Sequence, residues 1–377
     1  MKKRVFLIVL DSLGAGEAPD AKAFCDEGAH TLRTLYKTDV LKIDTLISLG
    51  IGNVDGLDFF GKISNPLASV ARLKERSNGK DTIVGHWEIA GHISKSPLPT
   101  FPCGFPDSIL KKIEAISKRT VLCNKPYSGT KVIEDYGEEA LKKQALIVYT
   151  SADSVLQVAA HTDVVSLEEL YDICSKLRGE LVSADEQVGR IIARPFTTDE
   201  SGRFVREANR RDYSLTPPHG LLPQRIKESG LESIAIGKIN DIFSGVGFTQ
   251  TQTTHSNAEG MSYLDKYASE DFCGLCFANL VDFDMLWGHR RDSIAYAEGL
   301  NSFDAWLNGF IKRLSQDDAL IIVADHGCDP GFDKSTDHTR EYVPYIEYSK
   351  TEFPQNYGTV EGFGFVSDRV FELLGIK

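Results

Sequence analysis

Asp325-His326-Gly327 lies near the carboxyl end of the chain, and Asp337-His338-Thr339-Arg340 begins twelve residues after Asp325. Upstream stands Asp282-Phe283-Asp284, with Gly288-His289 shortly beyond, and Asp11 directly follows an apolar run at 5–10. These segments offer three carboxylates (Asp11, Asp284, Asp325) and three imidazoles (His289, His326, His338). Mixed oxygen and nitrogen donors suit borderline divalent ions such as Mn²⁺ or Zn²⁺ better than Ca²⁺, which favours oxygen alone. Six such donors can hold a pair of ions, and two ions ~3.5–4 Å apart clamp both the attacking and the leaving oxygen of a phosphoryl transfer. Asp325 and His326 are adjacent and cannot share a strand face, but a loop just past a strand lets them converge on one ion. Asp284 and His289 can wrap a second ion across Gly288, with His338 completing it. Any one of these residues alone reads more readily as a capping aspartate or a structural histidine; the combined set does not.

A second stretch, Asn78-Gly79-Lys80-Asp81-Thr82, runs into Gly85-His86-Trp87-Glu88. Gly79 supplies a turn, and Asp81 or Thr82 opens a helix. A hydroxyl there faces open N–H groups and the positive end of the helix dipole, where a phosphate also sits well. Metal coordination would lower the hydroxyl pKa and make Thr82 a nucleophile. Taken locally, Thr82 reads more readily as an ordinary helix cap, and the Asp/His set elsewhere reverses that reading towards catalysis. His86 and His92 read as structural histidines, and Asp282 as a supporting or capping residue.

These groups need a scaffold. Apolar runs of strand length recur at 5–10, 146–149, 234–236, 275–280 and 319–323, and a helical pattern spans 291–314. Strands alternating with helices predict an α/β fold with a mostly parallel sheet, whose chemistry gathers at the carboxyl ends of its strands. Asp11, the Asp282/Asp284 pair and Asp325-His326 each follow such a run. The middle of the chain lacks the metal-type clusters, apart from Asp153 and His161, and is flanked by Pro/Gly-rich stretches at 96–106 and 215–220. The expected organisation is a discontinuous catalytic core, 1–100 with 220–377, interrupted by an inserted domain at 101–219.

The chain has 377 residues and a net charge of -12, so a nucleic-acid partner, which demands basic surface, is not expected. Seven cysteines with a single CxxC, Cys273-Gly-Leu-Cys276, point to free thiols in a reducing cytoplasm, with the CxxC as strand filler. The opening Met1-Lys-Lys-Arg4 imitates a signal peptide, but the six apolar residues behind it are too short for one. No run approaches a membrane span. Arg190, Arg194 and Lys238 are candidate phosphate clamps, since an acidic protein must supply local cations for an anionic substrate.

The blocks Val9-Leu-Asp11-Ser-Leu-Gly14, Gly79-Lys-Asp-Thr82 with Gly85-His-Trp-Glu88, Tyr149-Thr-Ser-Ala-Asp153, Gly189-Arg190-Ile-Ile-Ala-Arg194-Pro195, Ile236-Gly-Lys238, Asn279-Leu-Val-Asp-Phe-Asp284, Gly288-His289-Arg-Arg, Ala324-Asp-His-Gly327 and Thr336-Asp-His338-Thr-Arg-Glu341 span nearly the whole chain. Together they resemble the phosphopentomutases of the alkaline phosphatase superfamily. The resemblance implies an alkaline-phosphatase-like α/β core with helices on both faces of its sheet and an inserted α+β cap domain. It implies that Asp11, Asp325 and His326 hold one Mn²⁺, that Asp284, His289 and His338 hold the other, and that Thr82 bridges them and carries the phosphoryl group. Asp153, Arg190 and Lys238 match positions near the sugar or its distal phosphate. The implied reaction interconverts ribose 1-phosphate and ribose 5-phosphate, and the deoxyribose equivalents, through a 1,5-bisphosphate, with ribose 1,5-bisphosphate or glucose 1,6-bisphosphate as activator. A cofactor-independent phosphoglycerate mutase or a phosphomonoesterase of the same superfamily is the alternative. Cys328 stands where asparagine is expected after Asp-His-Gly.

Overall fold

The computed structural model describes residues 2–151, 154–183 and 186–376. Its chain divides into two compact units, Met1–Ser96 with Pro217–Lys377, and Pro97–Thr216.

The discontinuous unit is built on an eight-stranded sheet. From edge to edge its strands are Gln250–Gln252, Glu232–Ile236, Gly274–Leu280, Arg4–Leu10, Asp318–Val323, Val343–Tyr348, Ser69–Lys74 and Asn356–Glu361. Only Val343–Tyr348 runs antiparallel to its neighbours, so the sheet is mostly parallel. The three central strands are buried along their whole lengths. Such strands read as unbroken apolar runs because both faces are covered.

Register shows what covers them. Leu7 pairs with Phe277, so Phe6 and Phe277 point to opposite faces. The Phe6 ring packs edge-on against Phe310 of the long helix Ser293–Arg313, at 5.4 Å. The Phe277 ring meets His86 of the helix Thr82–Ile89 and Phe243. Helices therefore lie on both faces of this α/β sheet. The long helix is two residues shorter at its start than the apolar pattern suggests, because Asp292 caps it through the amide of Ala295.

The inserted unit carries a mixed sheet in the order Val121–Pro126, Leu146–Thr150, Val155–His161, Arg190–Thr198 and Phe204–Arg206, with Arg211–Ser214 also pairing with Arg190–Thr198. One face packs on helices Asp107–Ser117 and Leu167–Glu180 through Ile109, Ile113, Val148, Leu170 and Ile191. The other packs on helix Lys131–Lys143 through Val132, Ile133, Ile147, Tyr149 and Phe196. Among the described residues no helix is long and apolar enough to cross a membrane. Cys276 is buried in its strand, whereas Cys273 precedes the strand and is exposed, so it fills no core position.

Candidate metal centre

Asp11 closes the Arg4–Leu10 strand and is fully buried. The next residue, Ser12, takes a left-handed backbone with φ 74°, and its amide donates to Asp325 Oδ1 at 3.1 Å. This turn ties the ends of two neighbouring strands together. Asn279, at the end of the adjoining strand, donates its side-chain amide to Asp11 Oδ2 at 2.9 Å.

Asp284 and His289 owe their relation to a rarer element. Residues Phe283–Gly288 form a π-helical turn, and the His289 amide donates to the Asp284 carbonyl at 3.1 Å. An i→i+5 turn sets residue i+5 nearly above residue i, whereas in an α-helix the two would diverge. His289 Nε2 consequently lies 3.4 Å from Asp284 Oδ2, while His338 Nε2 lies 3.4 Å from Asp284 Oδ1.

Two groups of ligand atoms result, each drawn within 4.8 Å: Asp284, His289 and His338, and Asp11, Asp284 and His326. Asp284 belongs to both. The His326 and His338 rings are 4.0 Å apart, so the groups adjoin. Asp325 Oδ2 is 3.2 Å from His326 Nε2.

Hydrogen-bond partners set the tautomers. His326 Nδ1 is 3.1 Å from the Gly327 carbonyl and His289 Nδ1 is 2.7 Å from the Thr336 carbonyl. A carbonyl only accepts, so each Nδ1 carries the proton and Nε2 turns to the carboxylates, as second-sphere bonds orient metal-bound histidines. A lone pair facing Asp11 and Asp325 is tolerable only with a proton or a cation between them. Burial, together with Asp325 and Asp284, pushes the Asp11 carboxyl up to about 7. Burial opposes ionisation of Asp284 too, but His338 and His289 outweigh it and hold that carboxyl below the usual range. Asp11 Oδ1, Asp284 Oδ1 and Asp325 Oδ2 are buried and, apart from the neighbouring imidazole nitrogens, have no hydrogen-bond partner among the described residues. Three crowded carboxylates with orphaned oxygens, interleaved with imidazole nitrogens, fit divalent cations.

Thr82 is the first residue of its helix, and Asp81 caps that helix by accepting from the amides of Ile83 and Val84 at 3.0 and 3.1 Å. Thr82 Oγ1 lies 3.2 Å from His326 Nε2, which places the hydroxyl at the Asp11/His326 group. One turn later, Gly85 lets the helix approach Asp325: a Cβ there would collide with the Asp325 carbonyl. His86 Nδ1 is 2.8 Å from the Thr82 carbonyl and 3.1 Å from Asp325 Oδ2, and its Nε2 faces the Asn279 amide at 3.2 Å. A histidine expected to be merely structural thus links the Thr82 helix to Asp325 and, through Asn279, to Asp11. Its i+4 spacing from Thr82 is the signal that could have marked it.

Two further supports escaped the sequence reading. Buried Arg340 bonds the carboxylates of Glu75 and Asp20 and the carbonyl of Gly79, so it braces the turn before Thr82 from the His338 loop. Buried Glu341 accepts from the amides of Gly16 and Thr31, both at 2.9 Å, and from the hydroxyls of Thr31 and Thr339. Cys328 is buried, with Sγ 3.9 Å from His289 Nδ1, beside a prospective ligand. Asp282 accepts at 2.7 Å from the amide of Asn257, the first residue of the helix Asn257–Ser269, as a capping residue does.

The expected substrate residues are spread more widely. Asp153 lies outside the described residues. Lys238 follows the Glu232–Ile236 strand across Gly237, whose φ of 75° makes the turn. In the inserted unit, Arg190 Nη1 approaches Asp212 at 3.8 Å, and Arg194 Nε donates to Gln157 Oε1 at 3.1 Å.

Comparison with known proteins places the chain. Residues 3–377 match the model of the Metalloenzyme superfamily. The chain is 49% identical over 376 residues to a phosphopentomutase of Lachnoclostridium phytofermentans, covering 99% of this chain and 96% of that protein. It belongs to the phosphopentomutase family. A phosphopentomutase of Clostridium novyi is 45% identical over 379 residues, covering 100% of this chain and 96% of the relative. Among solved structures, a Pyrococcus horikoshii protein matches with a TM-score of 0.52 at 11% identity, covering 100% of this chain and 98% of that one. Phosphoglycerate mutase of Leishmania mexicana matches at 0.50 and 13%, covering 100% and 96%. At such identities these two bear on the fold alone, an α/β core shared beyond the phosphopentomutases.

Proposed function

We propose that this chain is an isomerase that interconverts ribose 1-phosphate and ribose 5-phosphate, and the 2-deoxyribose equivalents, by passing phosphate through Thr82. Family membership supports the reaction. The observation that carries its chemistry is the Thr82 hydroxyl, 3.2 Å from His326 Nε2 in a group with buried Asp11 and Asp284.

In this reading Asp11, Asp325 and His326 would hold one Mn²⁺ and Asp284, His289 and His338 the other, with Asp284 near both groups and Thr82 available to both ions. Such ions would neutralise charge on the transferring phosphoryl group and lower the pKa of the threonine hydroxyl. The resting enzyme carries phospho-Thr82. The C1 hydroxyl of ribose 5-phosphate attacks that phosphorus: the new O–P bond forms as the Thr82 Oγ1–P bond breaks, and the hydroxyl proton ends on Thr82. The ribose 1,5-bisphosphate so formed reorients and returns its 5-phosphoryl group to Thr82, releasing ribose 1-phosphate. Ribose 1,5-bisphosphate or glucose 1,6-bisphosphate loads threonine that has lost its phosphate. Asp153, Arg190, Arg194 and Lys238 bind the sugar and the phosphate not in transit. Retaining the bisphosphate against water, which separates a mutase from a phosphatase, falls to the inserted unit as a cap domain. The free thiols favour a cytoplasmic setting.

The test is to supply the protein with Mn²⁺, a trace of sugar bisphosphate and ribose 5-phosphate, and to follow the phosphorus resonances. Ribose 1-phosphate should appear until equilibrium. Inorganic phosphate without ribose 1-phosphate would make the protein a phosphomonoesterase, and turnover of 3-phosphoglycerate in its place would favour the phosphoglycerate mutase alternative.

A further inference from the structure

Tyr296 stands in the first turn of the long helix Ser293–Arg313 and is wholly buried. No step of the proposed reaction uses its phenol. Its hydroxyl lies 3.1 Å from Ser12 Oγ, within the turn that follows Asp11. Its ring lies 5.5 Å from that of Phe283 and 6.1 Å from that of Trp287. Both of those rings belong to the π-helical turn that carries Asp284 and leads to His289. One side chain therefore joins the turn beside Asp11 to the turn beside Asp284.

Ser12 gathers the bonds of its turn. Its amide donates to Asp325 Oδ1 and its carbonyl accepts from the Cys328 amide, both at 3.1 Å. Its φ of 74° lies in the left-handed region, which a residue with a Cβ enters only against a steric cost. Such a backbone persists where its surroundings over-determine it. Two of the three bonds at Ser12 hold the loop of Asp325 and Cys328. The third, to Tyr296, is the one that reaches the helix.

The π-helical side is fitted as closely. The Asp292 amide donates to the Trp287 carbonyl at 3.0 Å, and the Tyr296 amide donates to the Asp292 carbonyl at 2.9 Å, so the turn passes directly into the helix. Three residues beyond Tyr296, a Cβ on Gly299 would collide with the Trp287 ring. Glycine inside a helix is unfavourable relative to alanine, and here it makes room for that ring. A phenylalanine at position 296 would fill the same space as the tyrosine. Burying its hydroxyl carries a desolvation cost that only a partner offsets, and the partner is Ser12. Burial also holds the phenol well above its ordinary pKa, with Cys328, Asp284 and Asp11 acting in the same direction, so it stays a neutral hydroxyl.

We propose that Tyr296 is a positioning residue that fixes the spacing of the two ligand groups. Its hydroxyl holds the Ser12 turn, and through it Asp11 and Asp325. Its ring holds the turn of Asp284 and His289. Spacing matters because two ions clamp the attacking and leaving oxygens over a narrow range, ~3.5–4 Å. The inference rests on the two-metal reading of the site.

The test uses the full-length protein loaded with Mn²⁺, as wild type, Tyr296→Phe, Ser12→Ala and the double variant. Electron paramagnetic resonance reads the coupling between the two manganese ions, which varies steeply with their separation. Metal analysis and steady-state kinetics with ribose 5-phosphate accompany it. Tyr296→Phe keeps the ring and removes only the bond, so both ions should stay bound while the coupling changes. Its kcat should fall about tenfold with KM nearly unmoved, as expected when the geometry of the transition state is disturbed. Ser12→Ala should act alike, and the double variant should lose no more than either single one, because both remove the same bond. A tyrosine that only fills the core would lower Tm and leave coupling and kcat at wild-type values. That result in both single variants overturns the proposal, and so does a double variant whose losses simply add. Isomerisation by the wild type alongside either result leaves the mutase reading intact. Conversely, a wild type that binds two ions without isomerising ribose 5-phosphate, with coupling altered in both single variants, keeps the positioning role and removes the mutase.

Discussion

The core and the inserted unit concentrate opposite charge. In the core, Asp11, Asp284 and Asp325 are crowded and buried, with only imidazole nitrogens beside several of their carboxylate oxygens. In the inserted unit, Arg190, Arg194, Arg206 and Arg210 gather around Tyr149 and Asp212. The aspartates call for cations, whereas Asp212 already compensates Arg190 and Arg210. Their construction differs as well. Asp11 and Asp325 are held by the Asn279 amide, the Ser12 amide and the neighbouring His86, whereas Arg206 and Arg210 are exposed and held at few points. Rigid, buried placement suits groups that stabilise a transition state. Longer, half-exposed cations suit a group that must capture and release.

That contrast can be broken by experiment. The largest effect is expected from Thr82→Ala, which should lower isomerisation by at least about a thousandfold and abolish the phosphoryl adduct in the intact mass, with metal content retained. Next, Asp284→Ala should lose both ions, because Asp284 lies in both ligand groups, whereas Asp325→Ala should lose one. Metal analysis of gel-filtered protein reads the difference, and equal losses would break the shared-ligand picture. Substitution in the inserted unit should leave the ions alone: Arg190→Ala should raise the KM for ribose 5-phosphate about tenfold with unchanged metal content. A fall in metal content there would erase the distinction between the two regions.

Smaller effects come from the supports. Gly85→Ala would push the Thr82 helix from the Asp325 carbonyl, costing about 1–3 kcal/mol of stability with weaker metal retention, measurable by thermal unfolding with and without chelator. Glu341, pushed up to about 7 by burial and by Asp329, supplies a pH dependence. Its folded value lies above its unfolded one, so its contribution is fully present below the unfolded value and is lost as pH rises through about 7. Glu341→Gln removes that loss, and its Tm relative to wild type should therefore climb by a few degrees from pH 5 to pH 8. A flat difference would place the titration elsewhere.

Much of the scaffold was legible because buried parallel strands are continuous apolar runs, as at 5–10, 275–280 and 319–323. Ser69–Lys74 and Asn356–Glu361 were not, since Arg72, Lys74 and Gly358 interrupt any apolar pattern near that edge. The π-helical turn was equally hidden: its residues Phe283-Asp-Met-Leu-Trp-Gly288 carry no periodicity that separates five-residue from four-residue bonding. Arg340 and Tyr296 could be read by type only, because their meaning lies in partners more than a hundred residues away.

The sequence by itself determined the donor types, their positions just past apolar runs, the hydroxyl at a helix start and an interrupted core, since these follow from local pattern and side-chain chemistry. The tertiary structure alone decided that Asp284 joins both ligand groups, that His86 and Asn279 orient the carboxylates, and that Asp212 takes Arg190 and Arg210 while Arg194 turns to the neutral Gln157. The physical reason is that coordination and charge compensation are sums over neighbours within a few ångströms, and only the folded chain chooses those neighbours.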